Sequence, residues 1–180
     1  MKKVLGLFLA WTMLMVLPAF GQAEGVRGKI HVRSSAFGEG DRLPSDFTCD
    51  GADRSPPLEW SGVPTQAQSL AIIVEDPDAP AGHWTHWLVY DLLPSLTQLP
   101  AGISSGEKLP LGGFQGRTDF GSTGYGGPCP PRGEHRYFFT VYALDVMLRL
   151  KPGASQQVLS QAMQGHVLAE GVLMGKYERS

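Results

Sequence analysis

The sequence predicts a mainly β domain of two packed sheets with one helix near its end, and three observations carry that prediction. Runs of strand length at 69–76 (SLAIIVED), 83–92 (HWTHWLVYDL) and 135–145 (HRYFFTVYALD) are rich in β-branched and aromatic residues. The 23 glycines and 14 prolines place Pro-Pro, Gly-Gly and Asp-Gly turn pairs throughout. Only one stretch repeats its apolar residues at helical spacing, and it comes late. Many strands with one late helix suit two layers of sheet.

The first 21 residues stand apart from that core. Lys2 and Lys3 precede an apolar run from Val4 to Leu17, and Pro18 then breaks it. Ala19 and Gly21 supply the small residues expected at −3 and −1 of a secretory signal cut after Gly21. The other reading is an uncleaved membrane anchor, because the run is only slightly short of a span of ~17 to 25 residues. Cleavage is favoured by the small-residue end, and no cysteine near the cut suggests a lipid anchor. The expected mature chain, 22–180, is a single domain in the periplasm or secreted, with no stable membrane insertion. Without Lys2 and Lys3, 13 basic residues face 17 acidic ones. That balance argues against nucleic-acid binding, which needs a basic face.

Export changes how the cysteines read. Cys49 and Cys129 are the whole complement, and an oxidising compartment favours a disulfide between them. Closing a loop of that length contributes about 4 to 5 kcal/mol in the chain-entropy model. Two free thiols or a catalytic thiolate are the alternatives.

After the run at 83–92, residues 102–133 hold ten glycines in 32 positions. A glycine-rich loop of that length is functional or disordered; Phe114, Phe120, Tyr125 and Cys129 argue that it is ordered. Ser155 caps the helical run QQVLSQAMQGHVLAE, in which Val158, Leu159, Ala162, Met163 and Val167 recur on one face. A last strand follows at 171–178 (GVLMGKYE).

Candidate chemistry concentrates at 75–87, EDPDAPAGHWTHW. His83 and His86 lie three apart, which on a strand means opposite faces, so they do not share a metal ion. No His-Glu-x-x-His or zinc-spaced cysteine pair occurs. Gly-x-Ser-x-Gly is absent, and the Asp-Phe-Gly at 119–121 lacks every other kinase feature. His83-Trp84-Thr85 matches half of a two-histidine phosphoesterase pattern, but His135-Arg136-Tyr137 lacks the second Thr or Ser. A pocket uses more of these residues. On regular strands Trp84, His86, Leu88 and Tyr90 share one face, and His135, Tyr137, Phe139 and Val141 share another. If those faces adjoin, two imidazoles and a phenol meet beside aromatic walls. Asp76, held extended by Pro77, can accept an imidazole N–H and fix its tautomer. With backbone N–H groups from a glycine loop, this donor array suits phosphate or another oxyanion.

DPDAP (76–80) and HWTHW (83–87), followed by GGPCPPRGEHRY (126–137), closely resemble the phosphatidylethanolamine-binding protein (PEBP) family, also called Raf kinase inhibitor-like proteins. SPPLEWSGVP (55–64) and RTDFGSTGYGG (117–127) are similar to its bacterial YbhB/YbcL-type branch. The likeness runs from about Ile30 to Tyr177. It implies an antiparallel β-sandwich with a small surface pocket for phosphate or phosphoryl head groups. Pocket roles carry over onto Asp76, Ala79, Pro80, His86, His135 and Tyr137. Gly127 and its neighbours match a loop offering backbone donors. Family members are described as binders and modulators of kinases or proteases, which implies no cofactor and no catalytic residues. The signal peptide, the two cysteines and the lack of a long C-terminal helix depart from eukaryotic members, and export separates this chain from cytosolic kinases. The expectation is an exported binder of a phosphate-type ligand, with His86 as a donor, Asp76 as an orienting group, and Trp84 and Trp87 packing the wall. A role against an envelope protease or host factor is the alternative. Phosphoester hydrolysis by His86 and His135 ranks below both.

Overall fold

A computed structural model describes residues 28–179; the signal-peptide reading falls outside them. The strands are β1 (Gly28–Lys29), β2 (His31–Arg33), β3 (Leu58–Ser61), β4 (Ser69–Asp76), β5 (Trp84–Leu92), β6 (Gln98–Leu99), β7 (Phe114–Gln115), β8 (His135–Leu144) and β9 (Val167–Tyr177). A single 3-10 turn, Ser45–Phe47, precedes β3, and helix α1 is Gln156–Met163. One sheet has the order β1-β9-β8-β4-β5-β7 and the other β2-β3-β6. Every pairing is antiparallel except β1 with β9. The antiparallel sandwich is therefore present, with one parallel edge pair.

The larger sheet is covered on both faces at β4 and β5. Leu70, Ile72 and Val74 of β4 join Phe139 and Val141 of β8 against Leu58, Trp60 and Leu99 of the smaller sheet. Ala71 and Ile73 point the other way, to Leu88, Tyr90 and the α1 residues Leu159 and Met163. Cover on both sides explains why 70–74 reads as an unbroken apolar run instead of an alternation. Fully burying side chains such as Leu70 and Phe139 contributes roughly 1.5–3 kcal/mol each, so these two clusters fix the frame that holds the site.

Strand β5 departs from a regular strand at two places, and this corrects one expectation. Val74 pairs with Trp87 while Glu75 pairs with Thr85, leaving His86 as an extra residue. A second irregularity follows at Asp91, whose φ is 57°. Its carboxylate accepts the N–H groups of Leu148 and Arg149 at 2.7 and 2.9 Å, which offsets the unusual backbone. The bulge at His86 inverts the alternation. Trp84 and His86 keep the face shared with His135 and Tyr137. Leu88 and Tyr90, expected beside them, turn to the helix side.

The helix is shorter than its periodicity suggests. Ser155 caps it as expected, its hydroxyl accepting Val158 N–H at 3.4 Å. It ends at Met163, and Gly165 (φ 78°) turns the chain through a conformation that only glycine adopts freely. Val167, counted into the helical face, is the first residue of β9 and pairs with Leu144. Val158 stays exposed. Ladder pairing with all of β8 outweighed the local helical pattern. No helix among the described residues is long and apolar enough to cross a membrane.

Candidate ligand pocket

The site forms where the ends of β4, β5 and β8 meet two loops. At the end of β4, Asp76 uses both oxygens: Oδ1 accepts Asp78 N–H at 2.8 Å and Oδ2 accepts from His135 Nδ1 at 2.7 Å. The first contact folds the DPDAP turn, as a carboxylate two residues back commonly does. Asp78 then clamps that turn to β8, accepting Arg136 Nε at 2.9 Å, a terminal guanidinium nitrogen at 2.7 Å and the Arg136 N–H at 3.0 Å. The guanidinium holds the Asp78 carboxyl down at about 2. This pair is partly solvated, so its role is to set geometry rather than to add much stability.

At the other wall, His86 donates Nδ1–H to the Gly126 carbonyl at 2.6 Å, and Gly126 N–H returns a bond to the His86 carbonyl at 2.9 Å. The bulge therefore presents both backbone and ring to the glycine-rich loop. Asp119 fastens the same loop, accepting Thr85 N–H at 2.7 Å. Phe120 packs edge-on against both Trp84 and His86, with centroids at 5.4 and 5.2 Å. A Cβ at position 126 would lie 2.6 Å from the Phe120 ring, so only glycine permits this packing.

Behind this wall the loop is tied to a distant segment. Gly127 N–H donates to Asp53 Oδ1 at 2.6 Å, Tyr125 hydroxyl donates to the Phe47 carbonyl at 2.8 Å, and Cys49 N–H donates to the Pro128 carbonyl at 3.1 Å. Cys49 and Cys129 form the expected disulfide, with Cα atoms 5.4 Å apart.

Asp76, Ala79, Pro80, Ala81, Trp84, His86, Phe120, Cys129, Pro130, Pro131 and His135 enclose a cavity of about 320 Å³. That is at the small end for ligand sites. Of the residues expected here, Asp76, Ala79, Pro80, His86 and His135 line it. Gly127 does not, because its N–H already serves Asp53. Tyr137 does not line it either: its ring stands edge-on behind His86 at 5.2 Å, and its buried hydroxyl has no hydrogen-bond partner. Burial, then the charges of Asp76 and Asp78, hold the Tyr137 phenol far above its ordinary range. Trp87, expected in the wall, is in the inter-sheet core, donating its indole N–H to Gln115 at 2.7 Å.

The tautomers follow from the partners. A carbonyl and a carboxylate can only accept, so both imidazoles carry hydrogen on Nδ1 and leave Nε2 for a ligand. Burial lowers the His86 pKa, and the Gly126 carbonyl and nearby carboxylates only partly counter it. His86 is neutral at pH 7, and its free nitrogen is then an acceptor, not the donor expected from sequence. Among the described residues, no group of three or more His, Cys, Asp and Glu side chains is placed to share a metal ion. A larger open hollow of about 570 Å³ lies at Arg42, Ser45, Asp50 and Tyr177. Its polar groups already have partners, Tyr177 hydroxyl donating to Asp50 at 2.9 Å and Arg42 to the Glu178 carbonyl at 2.6 Å.

Residues 33–178 match the sequence model of the phosphatidylethanolamine-binding proteins. The chain belongs to that family. Relatives within this PEBP family include a UPF0098 protein of Methanothermobacter thermautotrophicus, 50% identical over 150 residues, 83% of this chain and 99% of that one. Another, from Pyrococcus horikoshii, is 45% identical over 184 residues, 99% of this chain and 91% of that one. Among solved PEBP structures, a putative homolog from Chlamydia trachomatis is 41% identical with a TM-score of 0.78, and E. coli YbcL is 34% identical with the same score. Each covers 84% of this chain and 99% of its own.

Sequence reasoning missed Ala81, Phe120, Cys129, Pro130 and Pro131 as wall residues of this PEBP pocket. A signal existed for the last three. The disulfide expectation and the Pro-Cys-Pro-Pro run already placed a rigid turn six residues or fewer before His135. Phe120 carried no such mark, because its position depends on how the glycine loop folds back over the bulge.

Proposed function

We propose that this PEBP-family chain is exported and binds a phosphate-type anion, such as a phosphoryl head group, in the cavity between His86 and His135. One observation carries the reading. Two buried imidazoles from different strands are held rigidly through Nδ1, and each keeps its second nitrogen for a small, partly apolar cavity. Such fixed polar groups on an apolar wall are the usual make-up of a specific small-molecule site. The apolar rim of Trp84, Phe120 and the prolines suits the organic part of a phosphoryl ester. Export is supported by the leading 21 residues and by a disulfide, which persists in oxidising compartments. We read the site as binding without turnover, because the second histidine lacks the neighbouring Thr or Ser of two-histidine phosphoesterases.

The test is an NMR titration of the purified protein with inorganic phosphate and phosphoethanolamine, following the ring resonances of His86 and His135. Both are expected to shift on saturation. Unmoved resonances at millimolar ligand would remove the reading.

A further inference from the structure

We propose that anion binding in this cavity is coupled to uptake of about one proton by His86, so that the site is closed to dianions at high pH and opened by mild acid. The proposal rests on the anion-binding reading and adds its regulation.

The geometry points there because the protein's own groups have the wrong polarity for an anion. Both Nδ1–H groups are spent on protein acceptors, Gly126 O at 2.6 Å and Asp76 Oδ2 at 2.7 Å. A neutral imidazole has one donor and one acceptor nitrogen. Neutral His86 therefore turns a lone pair toward the cavity. No lysine or arginine lines it, and one carboxylate, Asp76, does. Pro80, Pro130 and Pro131 have no N–H to give, and the Gly127 N–H is held by Asp53. The indole of Trp84 and the amides of Ala79 and Ala81 carry no charge to set against Asp76. An oxyanion entering this cavity meets the His86 lone pair and a like charge, with no cation to offset them.

One proton reverses that. Placed on Nε2 of His86, it turns an acceptor into a charge-assisted donor and offsets the Asp76 charge. The surroundings decide which charges act. His86 is faced by Asp76, Asp53, Asp119 and the Tyr137 phenol. Asp53 and Asp119 are bonded to Gly127 N–H and Thr85 N–H. Beside His135 stand Asp76, then Asp78 neutralised by Arg136, and Glu134 paired with Lys176 at 3.5 Å. Its partner across the sheet is Tyr177, whose hydroxyl goes to Asp50. Asp76 is thus the one wall carboxylate, already aligned on His135. In the empty site burial keeps His86 neutral, so the proton arrives with the anion.

The sign follows from linkage. The complex binds more protons than the empty protein, so affinity falls as pH rises, by about tenfold per pH unit for one proton. Sulfate is the decisive probe because it brings no proton of its own between pH 5 and 8.5. Calorimetric titration of the purified protein with sodium sulfate, in two buffers of different ionisation enthalpy, reads the uptake directly. The expected result is close to one proton taken up per sulfate near pH 7, and about tenfold weaker binding at pH 8 than at pH 7. Inorganic phosphate, which can enter as the monoanion with its own proton, should show a shallower pH dependence. Sulfate bound with the same affinity from pH 6 to 8, and with no difference between buffers, would overturn the proton coupling and leave the anion site standing. Neither sulfate nor phosphate binding at any pH from 5 to 8 would remove the site itself, and the coupling with it.

Discussion

Tyr137 is the residue whose cost is easiest to measure. Its ring fills the core behind His86, yet its hydroxyl is buried without a partner. A buried, unsatisfied hydroxyl costs about 1–3 kcal/mol, and removing it without changing shape is neutral or stabilising. Tyr137→Phe is therefore expected to raise the melting temperature of the ligand-free protein, by the equivalent of up to about 1 kcal/mol. Thermal denaturation followed by circular dichroism checks this. A lower melting temperature would mean that the hydroxyl makes a stabilising bond, with Asp76 the nearest candidate. At this scale the sequence was legible in kind but not in direction. Asp76 could be named as the acceptor that fixes an imidazole, because Pro77 and the short DPDAP spacing hold it at a strand end. That His86 is an acceptor at neutral pH could not be read, because it depends on the Gly126 carbonyl, forty residues away along the chain.

Among the elements, the strands with the strongest composition were the most legible. The 69–76 and 135–145 runs appear as β4 and β8 within a residue of their expected ends, since β4 is buried on both faces and β8 is rich in aromatic and β-branched residues. Strand β5 was legible in extent but not in facing. Nothing in Thr-His-Trp announces a bulge, which arises from pairing with β4 and from the loop docking on His86. The helix and β9 were divided at the wrong place because a tertiary ladder, not local periodicity, sets that boundary. The loop at 125–129 shows how elements cooperate. Three hydrogen bonds and the disulfide join it to residues 47–53, and Cys129 is itself a wall residue. Replacing both cysteines by serine should lower stability by at most about 4 to 5 kcal/mol, the chain-entropy figure for a loop of this length. It should also weaken phosphate binding several-fold, because a looser wall must be ordered on binding. Paired denaturation and phosphate titrations separate the two effects. Lower stability with unchanged affinity would confine the disulfide to a structural role.

For the whole molecule, the fold class was legible because counts of strands, turns and helices determine layers. The strand order was not, since it depends on which distant segments meet. That order has a consequence for how the molecule comes into being. Strand β9, the last in chain order of the described strands, lies inside the larger sheet between β1 and β8. It pairs with β8 from Val167 to Tyr177, and its other edge accepts β1 and then Gly40 and Leu43. A chain lacking residues 167–180 leaves β8 with an open edge and β1 with no partner, and should show no cooperative thermal transition by circular dichroism. A sharp transition in that truncated chain would mean that β4, β5 and β8 form a stable unit alone. Until β9 emerges, the nascent polypeptide cannot bring β1 and β8 into one sheet, and contacts between such distant segments form slowly. Closure of the main sheet thus waits on translation of residues 167–177, however early its other strands are made.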